Sequence, residues 1–248
     1  MGNLLNHAKG THVVVKAKMI KSVCKARKIT EILPPFSWKD QTCFVIGGGP
    51  SLQGFDWNLI KPFHTIGTNK SFQTFPAEVN YGMDYTFFDQ VQYSCNSNQK
   101  NYKLHQDWIS YNGIKVFLRQ DHTYVFVEGI YYVDSIPEKV ICFDLNRGIY
   151  ATNNSGGGAI MLALALGCKN IGLLGFDLKM DGNKSHFHEG YEGQNLKSFS
   201  INLEEFRRAV DEMGPSMLNY ANIVNLSPGS ALKSFPKADI KTFLSQVS

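Results

Sequence analysis

Short apolar runs alternate along the chain with polar stretches, and most runs close on glycine, asparagine, aspartate or serine. Runs of this length bounded by turn residues read as buried strands. The pattern predicts strands at 42–46, 63–67, 84–88, 116–119, 170–175 and 223–226. Weaker ones follow at 124–127 and 139–144. Helical spacing marks a short helix at 56–60 and an apolar helix at 159–166, with Ser155 as N-cap and Gly167 just past its end. Leu203, Phe206, Val210, Met213 and Met217 recur at helical spacing, with Asn202 and Glu205 resembling a capping box and Glu204 and Arg208 an i,i+4 pair. Residues 91–113 are polar and aromatic without clear period, and residues 91–150 read as an inserted lid or small subdomain. Strands alternating with helices give an α/β fold: a Rossmann-like, doubly wound, mostly parallel sheet.

The most informative stretch is Phe44-Val45-Ile46-Gly47-Gly48-Gly49-Pro50-Ser51-Leu52. A strand feeds three glycines, then a proline suited to the first turn of a helix and a serine hydroxyl beside that turn's free amides. Such a turn can hold a phosphate. Leu52 occupies the third glycine position of the dinucleotide fingerprint, and no Gly-Lys-Ser/Thr is present, so neither standard nucleotide loop applies. In a doubly wound sheet, ligands gather at the carboxyl ends of the strands. That edge is predicted to collect residues 47–51, Asn69, Asp89, Ser155 and Asp177. Residues 178–199 form a polar loop with Lys179, Lys184, His186 and His188, and a loop this long inside a compact domain usually carries function.

Composition narrows the setting. The 248 residues suit one large α/β domain, and 43% hydrophobic content is ordinary for a globular chain. The net charge of +4 is uneven: residues 1–40 hold eight basic residues against two acidic ones, a net +6. Residues 1–40 therefore read as a basic arm and linker that can meet nucleic acid or another polyanion, and residues 41–248 as the catalytic domain. Five scattered cysteines without a C-x-x-C argue against a disulfide framework; Cys43, Cys142 and Cys168 read as buried thiols. No leader-type apolar segment or membrane-length apolar run appears, so an intracellular, cytoplasmic setting is expected, the host cytoplasm for a phage-encoded chain.

Five motifs in order, Ile46-Gly47-Gly48-Gly49-Pro50-Ser51-Leu52, Thr68-Asn69-Lys70, Asn154-Ser155-Gly156-Gly157, Gly175-Phe176-Asp177 and Ser227-Pro228-Gly229-Ser230, resemble the bacterial sialyltransferases of glycosyltransferase family 42. They also resemble the related domain of archaeal-type 6-hydroxymethylpterin diphosphokinases and phage-encoded relatives. The resemblance spans roughly residues 42–232, with a gap in the middle. It implies a nucleotide held by Gly47, Gly48, Gly49, Pro50 and Ser51, with Gly48 standing where the transferases carry asparagine. Asn69 falls on a nucleotide-contacting asparagine, Asp89 on another asparagine, and Ser155, followed by Gly156, on a serine near the donor. The transferases place two tyrosines on the departing phosphate; Lys179 and His186 stand there. Their general-base histidine has no counterpart in 198–202, which leaves His186 and His188 as candidates.

Chemistry asks for a base on the acceptor hydroxyl and a cation on the leaving phosphate. Histidine suits the first because its pKa lies near neutrality. The expected catalytic set is His186, His188, Lys179 and Asp177, and no tightly bound cofactor is expected. The co-substrate is a nucleotide-sugar, with a pyrimidine nucleotide favoured. No Asp-x-Asp appears, so metal-free chemistry is expected over a metal reading of Asp177 with His186 and His188. The acceptor is a glycan or a hydroxymethylated base in phage DNA reached through the arm. The alternatives are a magnesium-dependent pterin-type diphosphokinase using Asp89, Asp177 and Asp181, and a non-catalytic nucleotide- or nucleic-acid-binding module.

Overall fold

A computed structural model describes residues 27–93, 99–120, 127–179 and 196–247. Seven strands form one sheet: β1 (Thr42–Ile46), β2 (His64–Thr68), β3 (Val79–Gly82), β4 (Ile114–Arg119), β5 (Ile130–Asp134), β6 (Asn170–Leu174) and β7 (Asn222–Asn225). Their order is β5-β4-β3-β2-β1-β6-β7, and every adjacent pair is parallel. The chain winds outward from β1 to β5, then returns to the other side of β1 for β6 and β7. The topological switch point, where such sheets bind ligands, therefore lies between β1 and β6.

Helices α1 (Tyr85–Tyr93), α2 (Gln99–Ser110), α3 (Ser155–Ala165), α4 (Leu196–Met217) and α5 (Ile240–Val247) complete the described elements. β1 shows how the sheet is covered on both faces. Cys43 and Val45 pack into a core with α3 and Met213 and Met217 of α4, while Phe44 and Ile46 pack with Phe243 of α5. Side chains alternate across a strand, so a fully buried β1 with apolar residues at 43–46 demands cover on both sides. Almost all of α3 is buried, as an all-apolar helix must be. Cys43 and Cys168 are buried and Cys142 is half-buried; burial, reinforced by Cys168, pushes the Cys43 thiol well up, which makes it an inert packing group. No described helix is long and apolar enough to cross a membrane.

Several elements differ from the sequence pattern, each for a local reason. Residues 84–88 are not a strand. Asp84 accepts from the Thr86 amide, and Phe87, Phe88 and Val91 pack with Leu104 and Trp108, a helical spacing that forms α1. The third strand is Val79–Gly82, whose apolar run is broken by a fully buried Asn80. Residues 139–144 form no strand, because Asp144 closes a turn by accepting the amides of Asn146, Arg147 and Gly148. Residues 124–126 lie outside the described residues. The stretch 91–150, expected as a lid or subdomain, supplies β4 and β5 to the common sheet. The N-cap of α3 is Asn154, one residue before Ser155, and its side chain accepts from the Gly157 amide. Asn202 and Glu205 sit inside α4, which starts at Leu196, so they form no capping box; Glu204 pairs with Arg207 instead of Arg208.

The expected arm and linker also end earlier than residue 40. Ile29, Leu33 and Trp38 are buried in the main core. The Arg27 carbonyl accepts from Tyr132, and Lys28 bridges to Tyr132, so residues 27–28 cover the edge of β5. Residues 1–26 lie outside the described residues.

Asp134 fastens this junction. It accepts from Arg119 Nε at 2.5 Å and lies 3.2 Å from Lys28 Nζ. Burial would raise its carboxyl, but bonds and charge from Arg119 and Lys28 outweigh burial and hold it below the usual range. A depressed carboxyl contributes stability above its unfolded pKa of about 3.9 and loses it as pH falls through the folded value. Asp134→Asn should therefore lower the Tm at neutral pH, and the gap from wild type should close below about pH 4. Thermal unfolding followed across pH checks this.

Candidate active site

The loops after β1 and β6 meet at the switch point. Beyond β1, the Gly47 amide donates to Leu174 O at 2.7 Å and the Gly49 amide to Gly175 O at 2.8 Å, so the glycine loop continues the ladder with β6. Glycine is required by that approach: a Cβ on Gly47 would lie 2.7 Å from Gly175 O, and one on Gly49 would lie 2.5 Å from the same oxygen and fall on Asp177 Oδ2. Pro50 then opens a single 3-10 turn, Pro50–Leu52. The Ser51 hydroxyl donates to Asp177 Oδ2 at 2.7 Å, and the Ser51 amide points to the same oxygen at 3.4 Å.

The Ser51 side of this turn thus holds the protein's own carboxylate, while the Gly48 amide has no acceptor among the described residues. Two of the loop's amides are spent on backbone carbonyls, and a three-residue turn has little dipole to offer. Asp177 is buried. Ser51 and Ser227 hydroxyls lie 3.1 Å apart, Ser227 Oγ accepts the Phe176 amide, and the Ser230 hydroxyl donates to Phe176 O. The Ser227-Pro228-Gly229-Ser230 motif therefore clamps the end of β6.

Beside this hub lies a cleft lined by Gly47, Gly48, Gly49, Thr68, Asn69, Asn154, Ser155, Gly156 and Lys179, with Phe176, Leu178, Leu203 and Phe206 as an apolar wall. The first residues of α3 face it. Asn154 is committed to its cap and to Thr152 O through Nδ2, but the amides of Ser155 and Gly156, at the open start of the helix, have no acceptor among the described residues. The Ser155 hydroxyl donates to Asn69 Oδ1 at 3.1 Å, which leaves the Asn69 NH₂ as a donor. Lys179 stands exposed at the rim, 3.3 Å from where a Cβ of Gly229 would lie. No carboxylate is among the lining residues described. The cleft wall is therefore one of donors, suited to an anionic or oxygen-rich ligand.

Backbone strain concentrates at this edge. Of the six non-glycine residues at positive φ among the described residues, Asn69 (49°), Thr152 (51°), Asn153 (55°) and Leu178 (46°) line or flank the cleft. A threonine in the left-handed region is unfavourable, and such outliers cluster at functional sites. The glycines of α3 answer this turn: a Cβ on Gly157 would fall on Thr152 Oγ1, one on Gly158 would lie 2.5 Å from Tyr81 OH, and one on Gly156 2.9 Å from the Phe176 ring.

Among the expected site residues, Gly47, Gly48, Gly49, Asn69, Ser155, Gly156 and Lys179 come together in the cleft. Pro50, Ser51 and Asp177 lie outside its lining, joined to each other behind the loop. Asp89 does not reach the edge: it is exposed on α1, and the carboxylate following β3 is Asp84, which caps α1. His186, His188, Lys184 and Asp181 lie outside the described residues. Leu203 and Phe206 were legible only as core positions of a helix, and Asn154 as a residue before the cap. His64 lies at the opposite edge of the sheet, stacked on Trp38 at 4.4 Å with its nitrogens 2.6 Å from Glu78 and 2.7 Å from Gln41. His105 bonds Val91 O. No group of three metal-ligating side chains gathers among the described residues.

With the geometry established, the architecture is a doubly wound α/β sheet whose ligand edge is a donor-lined cleft. No protein family matches the sequence, and no curated protein does. Among solved structures, the MAf glycosyltransferase from Magnetospirillum magneticum AMB-1 is similar with a TM-score of 0.50 and 15% identity, over 86% of this chain and 38% of that one. The sialyltransferase CstII from Campylobacter jejuni, solved with CMP, is similar with a TM-score of 0.48 and 18% identity, over 80% of this chain and 85% of that one. The alpha-2,3-sialyltransferase Cst-I from the same organism gives 0.46 and 17%, over 81% of both chains. At these identities the likeness is one of fold.

The Gly49–Asp177 contact gives a direct prediction. Gly49→Ala pushes a methyl group into the Asp177 carboxylate and Gly175 O, and overpacking of this kind costs about 1–3 kcal/mol. Urea unfolding should show that loss, and an unchanged midpoint would remove the close packing of the loop on β6.

Proposed function

We propose that this protein is a glycosyltransferase that moves a sugar from a nucleotide-sugar to an acceptor hydroxyl. The observation that carries the reading is the donor wall at the switch point: Gly48, Asn69, Ser155, Gly156 and Lys179 around one cleft with no carboxylate among the described lining residues. The nucleotide's phosphate belongs at the start of α3, where the free amides and the helix dipole favour an anion. The Asn69 amide serves the sugar or base oxygens, and the apolar wall of Leu203 and Phe206 covers the nucleotide's flat face. Lys179 neutralises the departing phosphate. The resemblance of the five sequence motifs to family 42 transferases supports this assignment, and the fold shared with a MAf glycosyltransferase is consistent with it.

Asp177 takes a different role from the one the sequence suggested. Tied to Ser51, it fixes the loop on which Gly48 stands and positions Lys179, two residues on. The acceptor's base is His186, with His188 second. Described chain reaches the cleft on both sides of the segment that holds them, at Lys179 and at Leu203. The acceptor is a glycan, or a hydroxymethylated DNA base engaged through the basic residues ahead of Arg27. The diphosphokinase reading is less supported, because neither Asp89 nor Asp177 lines the cleft.

The test is a thermal-shift screen with CMP, UDP, GDP and ATP, each with and without magnesium, followed by turnover with the matching nucleotide-sugar. A bound nucleotide at a hundredfold excess over its Kd stabilises by about 2.7 kcal/mol. With the donor in hand, His186→Ala should lose about 10²–10⁴-fold in kcat with donor affinity nearly unchanged. Lys179→Ala should slow turnover as well. Binding by ATP alone with strict magnesium dependence would overturn the transferase reading in favour of phosphoryl transfer.

A further inference from the structure

Behind Asn69 lies a buried polar side chain that the cleft does not touch. Asn80, in β3, is fully buried, and its Nδ2 donates to the backbone carbonyl of Asn69 at 3.0 Å. Its Oδ1 has no hydrogen-bond partner among the described residues, and neither has the buried Ser71 Oγ. Directly opposite Asn80 in the sheet is Gly67. A Cβ there would lie 2.6 Å from Ser71 Oγ and 3.0 Å from Asn80 Oδ1, so Gly67 clears room for the carboxamide. A buried polar oxygen without a partner is unfavourable, and an aliphatic side chain would fill the same space without that cost. What asparagine supplies here that an aliphatic residue lacks is its bond to the Asn69 carbonyl.

What Asn80 holds is the backbone of a strained residue. Asn69 sits at φ 49°, immediately after β2, and the carbonyl that Asn80 grips belongs to that turn. From this conformation the Asn69 side chain reaches across the switch point, where its Oδ1 accepts from Ser155 Oγ at the start of α3. One chain of contacts thus runs from the interior of β3, through the turn after β2, to the first residue of α3. Its last free atoms are the two N–H groups of Asn69.

We propose that Asn80 is a positioning residue for the nucleotide. It locks the left-handed turn at Asn69 so that the Asn69 carboxamide presents its N–H donors to an oxygen of the ligand. This rests on the nucleotide reading of the cleft. The acceptor oxygen belongs to a phosphate, a ribose or a pyrimidine carbonyl, and each is presented to the same donor.

Calorimetric titration across a double-mutant cycle tests it, using whichever of CMP, UDP, GDP and ATP binds the wild type most tightly. Asn80→Leu should weaken binding by about tenfold while the Tm holds or rises, and it should cost nothing further in an Asn69→Ala background, because residues that act through one another are not additive. A merely structural asparagine would lower the Tm and leave the affinity alone. Wild-type affinity in Asn80→Leu, or the same fold-loss in both backgrounds, would overturn the proposal. Should Asn80→Leu not fold, Asn80→Val takes its place in the cycle, since it suits a buried strand, is smaller and has no hydrogen-bond donor. A wild type that binds none of the four nucleotides is a separate outcome: it refutes the nucleotide reading itself, and this inference with it.

Discussion

The hydrogen bond from Ser51 to the Asp177 carboxylate organises this end of the molecule. It joins residues 126 positions apart and fastens the loop after β1 to the loop after β6. A hydrogen bond to a charged group contributes about 1.5–3 kcal/mol. Its larger effect is geometric. With Asp177 bound to Ser51, and the Gly47 and Gly49 amides paired to β6, the Gly48 amide is the one left open in this turn among the described residues. Gly49 must be glycine for the carboxylate to fit, and the serines at 227 and 230 hold the strand end that carries it.

Two further open amides at the switch point belong to α3. Asn154 caps the helix, yet the amides of Ser155 and Gly156 remain open, and the left-handed pair Thr152-Asn153 turns the chain into that helix. Three glycines at 156–158 let the first turn of α3 seat against Thr152, Tyr81 and Phe176. The strain and the lost side chains are both unfavourable locally, and the fully apolar body of α3 offsets them. This division, a rigid buried helix with an unsatisfied, strained entrance, is what a preorganised anion site requires.

The fold was legible where a strand has a run of adjacent apolar residues. β1, β4, β6 and β7 stand out in the pattern because both faces of the sheet are covered. β3 was hidden by Asn80, a polar residue in an interior strand, and the aromatic run of 85–88 offered a false strand in its place. Helix α4 gave its apolar stripe but not its start, since Asn202 mimics a cap within a helix already under way. Of the residues picked out for the ligand edge, Gly48, Asn69, Ser155 and Lys179 meet at one cleft. Sequence spacing could not show that Asp177 would fold back onto Ser51, because that bond depends on the register of β6 against β1. Nor could it show that Gly49, which also lines the cleft, makes room for a carboxylate.

The central claim is that ligand phosphate is bound at the start of α3 and not at the glycine turn. Nucleotide affinity measured by calorimetry for Ser51→Ala and Ser155→Ala, each with its Tm, tests it most directly. The account predicts that Ser51→Ala lowers the Tm with affinity largely kept, because it loosens Asp177. Ser155→Ala keeps the helix amides but removes the hydroxyl that holds the Asn69 carboxamide beside them, and it should weaken binding about tenfold, or about 1.4 kcal/mol, with the Tm nearly unchanged. A folded Ser51→Ala protein that loses nucleotide binding, beside a Ser155→Ala protein that keeps it, would contradict the account.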